Sequence, residues 1–166
     1  MLRRHHESPA NLNKMFYKYG NHICLIMSDF SVYVDSRGGN TRKVADAIAE
    51  ELGVTAGDVT VPVLGDARIL FLGSGTYGSR PGDAMTKFIE LGDFTGRKVA
   101  IFGTSASPAG SEKMIAVMSD DLNRKGATIL GRWHCRGKFL IMNRGHPDRE
   151  DMENAKKFAR EIVRSA

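Results

Sequence analysis

Three segments of this chain combine small residues, hydroxyls and backbone donors in patterns that suit a bound anion and a flat ring. Ser36-Arg37-Gly38-Gly39-Asn40-Thr41 follows a short apolar run and opens a helical stretch. Two adjacent glycines let the backbone turn tightly and aim successive N–H groups at one spot. Ser36 and Thr41 add hydroxyls, and a helix N-terminus adds the positive end of its dipole, so the segment suits a phosphate. It is not a P-loop, because no Gly-Lys-Ser/Thr follows, and its glycine spacing is not the dinucleotide fingerprint. Arg37 adds charge if it turns inward and otherwise faces solvent. The segment Gly73-Ser74-Gly75-Thr76-Tyr77-Gly78-Ser79-Arg80-Pro81-Gly82 is longer than a chain reversal needs. Its glycines permit close approach of a planar ligand, on which the lone Tyr77 can stack. Thr104-Ser105-Ala106-Ser107-Pro108-Ala109-Gly110-Ser111 again offers hydroxyls and free N–H groups, without an aromatic. Taken singly, these segments also fit a Gly-rich turn, a surface loop and a helix cap built on Ser107-Pro108 or Ser111.

What joins them is the order of elements around them. Val32–Asp35 reads as a first strand, and Gly39–Leu52 as a helix with Val44, Ala45, Ile48, Ala49 and Leu52 on one face and Gly53 as its stop. Val59–Val63 reads as a second strand, and Arg68–Gly73 as a buried third one by its continuous apolar run. Helices over Gly82–Leu91 (Met85, Phe88, Ile89 inward) and Ser111–Lys125 (Met114, Val117, Met118, Leu122 inward) flank a fourth strand, Lys98–Gly103. A fifth strand, Ala127–Cys135, precedes a closing helix, Asp148–Arg164, with Met152, Ala155, Phe158, Ala159 and Ile162 inward. Asp148 and Asp151 have the spacing of a capping box. This alternation predicts an α/β fold, a doubly wound five-stranded parallel sheet with helices on both faces. Pro62–Ala67 leaves little room for a helix between strands two and three, so a tight loop or single turn is expected there. The three segments then leave the carboxyl ends of strands one, three and four, where such sheets bind ligands.

The length of 166 residues fits one compact domain with a sizeable core. With 42% apolar and 26% charged residues the composition is globular. Two cysteines exclude a disulfide framework and a Cys₄ metal site. No run of 18 apolar residues suggests a membrane span. The formal charge of +5 points towards an acidic or nucleic-acid partner, but its distribution argues otherwise. Residues 1–27 carry Arg3, Arg4, Lys14 and Lys18 against Glu7 alone, whereas residues 28–166 carry 20 basic and 18 acidic side chains. The near-neutral domain removes the main support for nucleic-acid binding. Residues 1–27, with His5, His6 and His22 and no helical or strand period, are expected to be a disordered extension. Ile23–Met27 is too short for a secretory core, and His and Asn argue against a mitochondrial leader. Met27-Ser-Asp-Phe reads as a fresh start, so residues 1–26 are expected to be an upstream extension.

The three segments resemble the FMN site of the flavodoxin family. Ser36-Arg37-Gly38-Gly39-Asn40-Thr41 is similar to that family's phosphate loop, Thr/Ser-x-Thr-Gly-Asn-Thr. Gly73-Ser74-Gly75-Thr76-Tyr77-Gly78 is similar to its first isoalloxazine loop, and Thr104–Gly110 falls at its second. The likeness spans residues 30–164. It extends to Cys135-Arg136-Gly137-Lys138 and Gly145-His146-Pro147-Asp148 through Asn154-Ala155, which resemble short flavodoxin-like proteins of anaerobes. The resemblance implies strand order 2-1-3-4-5 and non-covalent FMN bound by residues 28–166. Ser36, Arg37, Gly38, Gly39, Asn40 and Thr41 would hold the phosphate. Ser74, Gly75, Thr76, Tyr77 and Gly78 would line one side of the ring, with a carbonyl near Gly75–Gly78 accepting from N5–H of the reduced flavin. Thr104, Ser105, Ala106, Ser107 and Gly110 would meet its pyrimidine edge.

The chain departs from the family at two points. Gly38 stands where the family has a Thr, so one hydroxyl is lost. The second loop lacks the usual outer Tyr, which leaves one flavin face open to a substrate, a partner or another subunit. The family is typically acidic around the flavin edge and this domain is not, so a different redox partner is implied. No general acid or base is evident, which favours electron transfer between a reductase and an acceptor protein, in the cytoplasm, as monomer or homodimer. The alternatives are an NAD(P)H/quinone reductase or a porphyrinogen-oxidising flavoprotein of the same fold, or a flavin-free phosphate-binding protein. Cys135 reads as a small buried hydrophobe and Trp133 as packing. His134 and His146 read as isolated, without metal-ligand spacing. Arg132, Arg136, Lys138 and Arg144 form a basic stretch that is either a solvated face or a dock for an acidic partner.

Overall fold

The computed structural model describes residues 28–59, 65–141 and 143–166. The elements run β1 (Phe30–Asp35), α1 (Asn40–Leu52), β2 (Ala56–Asp58), β3 (Ile69–Gly75), α2 (Asp83–Leu91), β4 (Lys98–Ser105), α3 (Pro108–Arg124), β5 (Thr128–Arg136) and α4 (Arg149–Ser165). The strands form one parallel sheet in the order β2-β1-β3-β4-β5, as expected.

The central strand explains the layering. Every residue of β3 is buried, so both faces of the sheet must be covered. Side chains alternate along it. Ile69 and Phe71 join a cluster with Val44 and Ile48 of α1 and Phe158 and Ile162 of α4. Leu70 and Leu72 join the opposite cluster with Met85 and Phe88 of α2 and Met114 and Leu122 of α3. The expected inward faces of α1, α2 and α4 match these clusters, with Leu52 and Met152 half-buried at the margin of the first; in α3 Ile115 joins the second cluster, whereas Val117, expected inward, is half-buried and outside it. Trp133 packs on Phe158 at 6.4 Å between ring centroids, a packing role as expected.

Local chemistry sets the helix ends. Gly53 closes α1 in the left-handed region at φ 68, its N–H donating to the Ala49 and Glu50 carbonyls. At α4 the Asp148 carboxylate accepts from the Asp151 N–H and the Asp151 carboxylate accepts from the Asp148 N–H, completing the expected box. Ser107, rather than Ser111, caps α3. Its hydroxyl accepts from the Gly110 N–H, and Pro108 opens the first turn, so the helix starts three residues earlier than its apolar period alone suggests.

The second strand departs from expectation. Pairing with β1 falls on Ala56–Asp58, and Val59 lies just beyond it. Val59 is buried in the apolar cluster on one face of the sheet, and its N–H makes a last, long bond of 3.4 Å to the Val34 carbonyl. Arg42 instead marks the true strand, bonding the Ala56 carbonyl and the Asp58 carboxylate. Residues 60–63 of that expected strand, residues 62–64 of the expected crossover and the whole expected extension 1–27 lie outside the described residues. Residues 65–67 are not helical.

Two expected outcomes test this packing. A Cβ on Gly73 would lie inside the Phe102 ring of the neighbouring strand. Gly73→Ala should therefore lower the unfolding free energy by roughly 1–3 kcal/mol in a urea titration. Cys135 is 9% exposed, and burial, followed by the charges of Asp151 and Asp148, pushes its thiol from 9.0 up to about 12. The unfolded thiol ionises first, so stability is lost as pH rises from 9.0 towards about 12. In a Cys24→Ser background, this alkaline loss should shrink on adding Cys135→Ala.

Candidate functional site

Because all five strands are parallel, the segments after β1, β3 and β4 emerge at one edge of the sheet. The switch in strand order falls between β1 and β3.

After β1 the chain turns at Gly39, which sits at φ 80 as the N-cap of α1 with no side-chain cap. Four N–H groups at a helix start lack intrahelical acceptors. One of them is satisfied here, Arg42 donating to Ser36 Oγ at 3.2 Å, and the helix's own ladder begins with Lys43 donating to the Gly39 carbonyl at 3.1 Å. The N–H groups of Gly38, Gly39, Asn40 and Thr41 meet no acceptor among the described residues. A Cβ on Gly38 or Gly39 would have nothing within 4 Å, so this face of the turn is open. An open cradle of N–H groups at a helix N-terminus is the donor set an oxyanion requires.

The other segments are held to this cradle by polar ties. Buried Thr41 shares a hydrogen bond of 2.8 Å with Thr104 Oγ1 at the end of β4. The Thr76 N–H donates to the Thr104 carbonyl at 3.0 Å. Buried Ser74 donates to the Gly75 carbonyl and accepts from the Gly82 N–H, closing the loop after β3 on itself. Tyr77 and Arg80 exchange backbone bonds across a tight turn containing Gly78 and Ser79, at φ 59 and 64. The Tyr77 phenol turns towards the cradle and accepts from the Arg37 N–H at 3.0 Å. The Arg37 guanidinium lies 4.2 Å above the Tyr77 ring centroid and pairs with Asp83 at 2.8 Å. Arg37 is thus half-exposed but partnered, fixing Tyr77 from above.

In the loop after β4, Ser105 Oγ accepts from the Ser107 N–H at 3.3 Å. A Cβ on Gly110 would lie 2.8 Å from Ser105 Oγ and 3.1 Å from Ser107 Oγ, so a larger residue there would have to turn these hydroxyls aside. The Ala106 carbonyl accepts from Asn143. Among the described residues, Thr76 Oγ1 and Ser111 Oγ are buried without a hydrogen-bond partner. Such orphans are uncommon in folded chains. Thr76 belongs to the second segment and packs towards Gly110 of the third, so its hydroxyl is enclosed where these two segments meet.

Several contributors are not visible in the sequence. Asp35 at the end of β1 accepts from the Met85 N–H and anchors α2. The segment after β5 packs on the site through its backbone. Asn40 donates to the Lys138 carbonyl at 2.9 Å, the Gly137 N–H donates to the Ser105 carbonyl at 2.8 Å, and Asn143 also reaches the Gly137 carbonyl. A Cβ on Gly137 would crowd Asn40 and Thr104 at 3.2–3.3 Å, which is the one hint a glycine there offered. His146 is not isolated, contrary to expectation. Its Nδ1 lies 2.7 Å from Asp151 Oδ2 and 3.6 Å from Asp148 Oδ2, because the α4 capping box gathers both carboxylates beside it.

A parallel sheet with an oxyanion cradle after its first strand, and two small-residue loops beside it at the switch point, defines a doubly wound ligand-binding α/β protein. A flavodoxin-domain family model matches residues 31–142. An uncharacterized protein of Methanocaldococcus jannaschii is 28% identical over 150 residues, covering 84% of this chain and all of that protein. A flavodoxin of Klebsiella pneumoniae is 30% identical over 135 residues, covering 74% of this chain and 77% of its own. This chain belongs to the flavodoxin family, whose members bind flavin, typically FMN. Solved structures agree on the fold. Oxidised Flavodoxin 2 from Bacillus cereus aligns with a TM-score of 0.67 at 22% identity, covering 82% of this chain and 99% of that one. Rubredoxin oxygen:oxidoreductase from Desulfovibrio gigas aligns at 0.65 and 18% identity, over 81% of this chain but 35% of the larger protein. No helix among the described residues is long and apolar enough to cross a membrane.

The cradle can be tested for conformational demand apart from any ligand. Gly39 needs the left-handed region and Gly38 does not. Gly39→Ala should cost about 1–2 kcal/mol of folding stability and Gly38→Ala well under that, as read by thermal or urea unfolding.

Proposed function

We propose that residues 28–166 bind FMN non-covalently and carry electrons between a reductase and an acceptor protein in the cytoplasm. The observation that supports this most is the open set of N–H groups from Gly38 to Thr41 at the N-terminus of α1. These donors, with the Ser36 hydroxyl, would hold the phosphate. Asn40, tied by its side chain to the Lys138 carbonyl, and Thr41, tied to Thr104, keep the cradle in register with the other loops. The donor set fits the group: it supplies neutral hydrogen bonds and a dipole, with Arg37 as the nearby cation.

Bound FMN supplies one- and two-electron redox chemistry at its ring. The chain's residues bind, orient and shield it. Ser74, Gly75, Thr76, Tyr77 and Gly78 would form one wall, with the Thr76 hydroxyl buried and unpaired behind it. The Tyr77 ring, fixed by Arg37, is available as the stacking surface. Thr104, Ser105, Ala106, Ser107 and Gly110 form the opposite wall. The Ala106 N–H is the natural partner of a pyrimidine edge, since Thr104 and Ser105 lie in the β4 ladder, Ser105 takes the Ser107 N–H and Ser107 takes that of Gly110. Proton transfer is left to the cofactor and solvent, since the three loops contain no carboxylate or histidine.

A second reading is supported by one feature. Thr104–Gly110 holds no aromatic, so nothing in that loop would cover the outer ring face, and a small substrate could reach it. An FMN-dependent reductase of NAD(P)H and quinone, or a porphyrinogen-oxidising flavoprotein, fits such an open face.

Titration of the FMN-free full chain with FMN should give stoichiometric uptake and a flavin band near 450 nm (a property of the cofactor). Riboflavin, lacking the phosphate, should bind at least about tenfold more weakly. Gly38→Asp places a carboxylate beside the cradle and should weaken FMN by about tenfold or more while sparing riboflavin. Equal affinity for the two flavins would overturn the phosphate assignment. Rapid turnover of NAD(P)H with a quinone, without any partner protein, would replace the carrier reading by the enzyme reading.

A further inference from the structure

The segment after β5 carries an unusual surface. Phe139, Leu140 and Ile141 are 57%, 76% and 75% exposed, three of the four large apolar side chains that stand in solvent among the described residues. Consecutive exposed apolar residues of this size mark interaction sites more often than chance placement does. Leu140 sits in the left-handed region at φ 51, a conformation that costs a leucine energy and here turns its side chain outward.

The stems of this segment are fastened to the cofactor loops. Lys138 and Gly137 bond Asn40 and Ser105 through their backbones, and Asn143 bonds the Ala106 carbonyl. Anything seated on Phe139–Ile141 is therefore held beside the FMN site. The charge around the apolar tip has one sign. No Asp or Glu occurs between Asp121 and Asp148. Arg136, Lys138 and Arg144 are exposed and have no carboxylate partner among the described residues. Arg136 shares a groove with Asp148, Glu150 and Asp151, of which Asp148 and Asp151 are engaged by His146 and the α4 cap. An apolar centre inside a charged rim is the anatomy of a protein interface, and the rim's sign selects the partner.

We propose that the Gly137–Ile141 segment docks an acidic electron-transfer protein, with Phe139, Leu140 and Ile141 as the apolar contact and Arg136, Lys138 and Arg144 steering it. The proposal rests on the electron-carrier reading and adds to it the class of partner and the surface used.

Binding of the full, FMN-loaded chain to a strongly acidic [2Fe–2S] ferredoxin, with basic cytochrome c as the contrast, tests it by calorimetry. The ferredoxin should bind at about 0.02 M salt and lose about tenfold or more in affinity at about 0.3 M. Cytochrome c should bind at least about tenfold more weakly at the lower salt. Arg136→Glu/Arg144→Glu should reverse that preference. Phe139→Ser/Leu140→Ser/Ile141→Ser should weaken ferredoxin about tenfold at both salts, with an unchanged circular dichroism spectrum and flavin band. Preference for cytochrome c by the wild type, no ferredoxin binding, or charge reversal without effect in a folded, flavin-loaded variant would each overturn the proposal. So would a wild-type dimer that the triple serine variant disperses in sedimentation velocity, since a second copy would then be the occupant. A chain that takes up no flavin yet binds ferredoxin through these residues keeps the surface and loses only the cofactor reading.

Discussion

The complete burial of β3 is the constraint on which the rest depends. Its peptide groups pair with β1 on one side and β4 on the other, while its side chains face two separate apolar clusters. A strand in that position needs helices on both faces, and parallel pairing needs a crossover between strands. Each crossover brings the chain back to the same end of the sheet. The segments after β1, β3 and β4 therefore share an edge because a seven-residue run is apolar throughout its first half and small in its second. Gly73, in that second half, also makes room for the Phe102 ring, so the strand that positions the site also sets the packing of its neighbour.

At the edge itself, short polar contacts replace apolar packing. Thr41 with Thr104, Thr76 with the Thr104 carbonyl, and Tyr77 with the Arg37 N–H tie three segments that are far apart in sequence. These contacts use hydroxyls and backbone groups, leaving the N–H groups of the Gly38–Thr41 turn unspent. That division of labour is what a binding site for a phosphorylated planar ligand requires: side chains fix the loops, and the backbone meets the ligand. Arg37 belongs to the first class, since its charge is already shared by the Tyr77 ring and Asp83.

The basic character of the chain separates into two parts. Residues 1–27 carry much of the formal +5, and the rest of the chain is nearly balanced. Within the domain, however, the balance is uneven: the stretch from 122 to 147 has six basic residues and no acidic one. Arg124 and Lys125 lie at the end of α3, before β5, whereas Arg136, Lys138 and Arg144 follow β5, so a mean charge near zero hides a local basic surface at the carboxyl edge of the sheet. Charge per domain bears on nucleic-acid binding, while local charge bears on which protein docks.

Much of the fold was legible in the residues themselves. The helical faces of α1, α2, α3 and α4, the buried β3 and the α4 capping box all follow from local periodicity and cap chemistry, which involve residues within a few positions of each other. The three glycine- and hydroxyl-rich segments were legible for the same reason, as was the strand order through the family resemblance. The edge strand was misplaced because its paired residues, Ala56, Gly57 and the exposed Asp58, carry no apolar pattern, while the apolar Val59 that marked it is the residue where pairing ends. His146 looked isolated because its partners are brought to it by a helix cap. The reach of Asn143 to Ala106, of Lys138 to Asn40 and of Arg37 over Tyr77 spans 37, 98 and 40 positions. Local pattern determined which elements form and which loops hold donors. Only the parallel stacking of those elements decided which loops touch, because contacts across such separations exist only once the sheet has brought its carboxyl ends together.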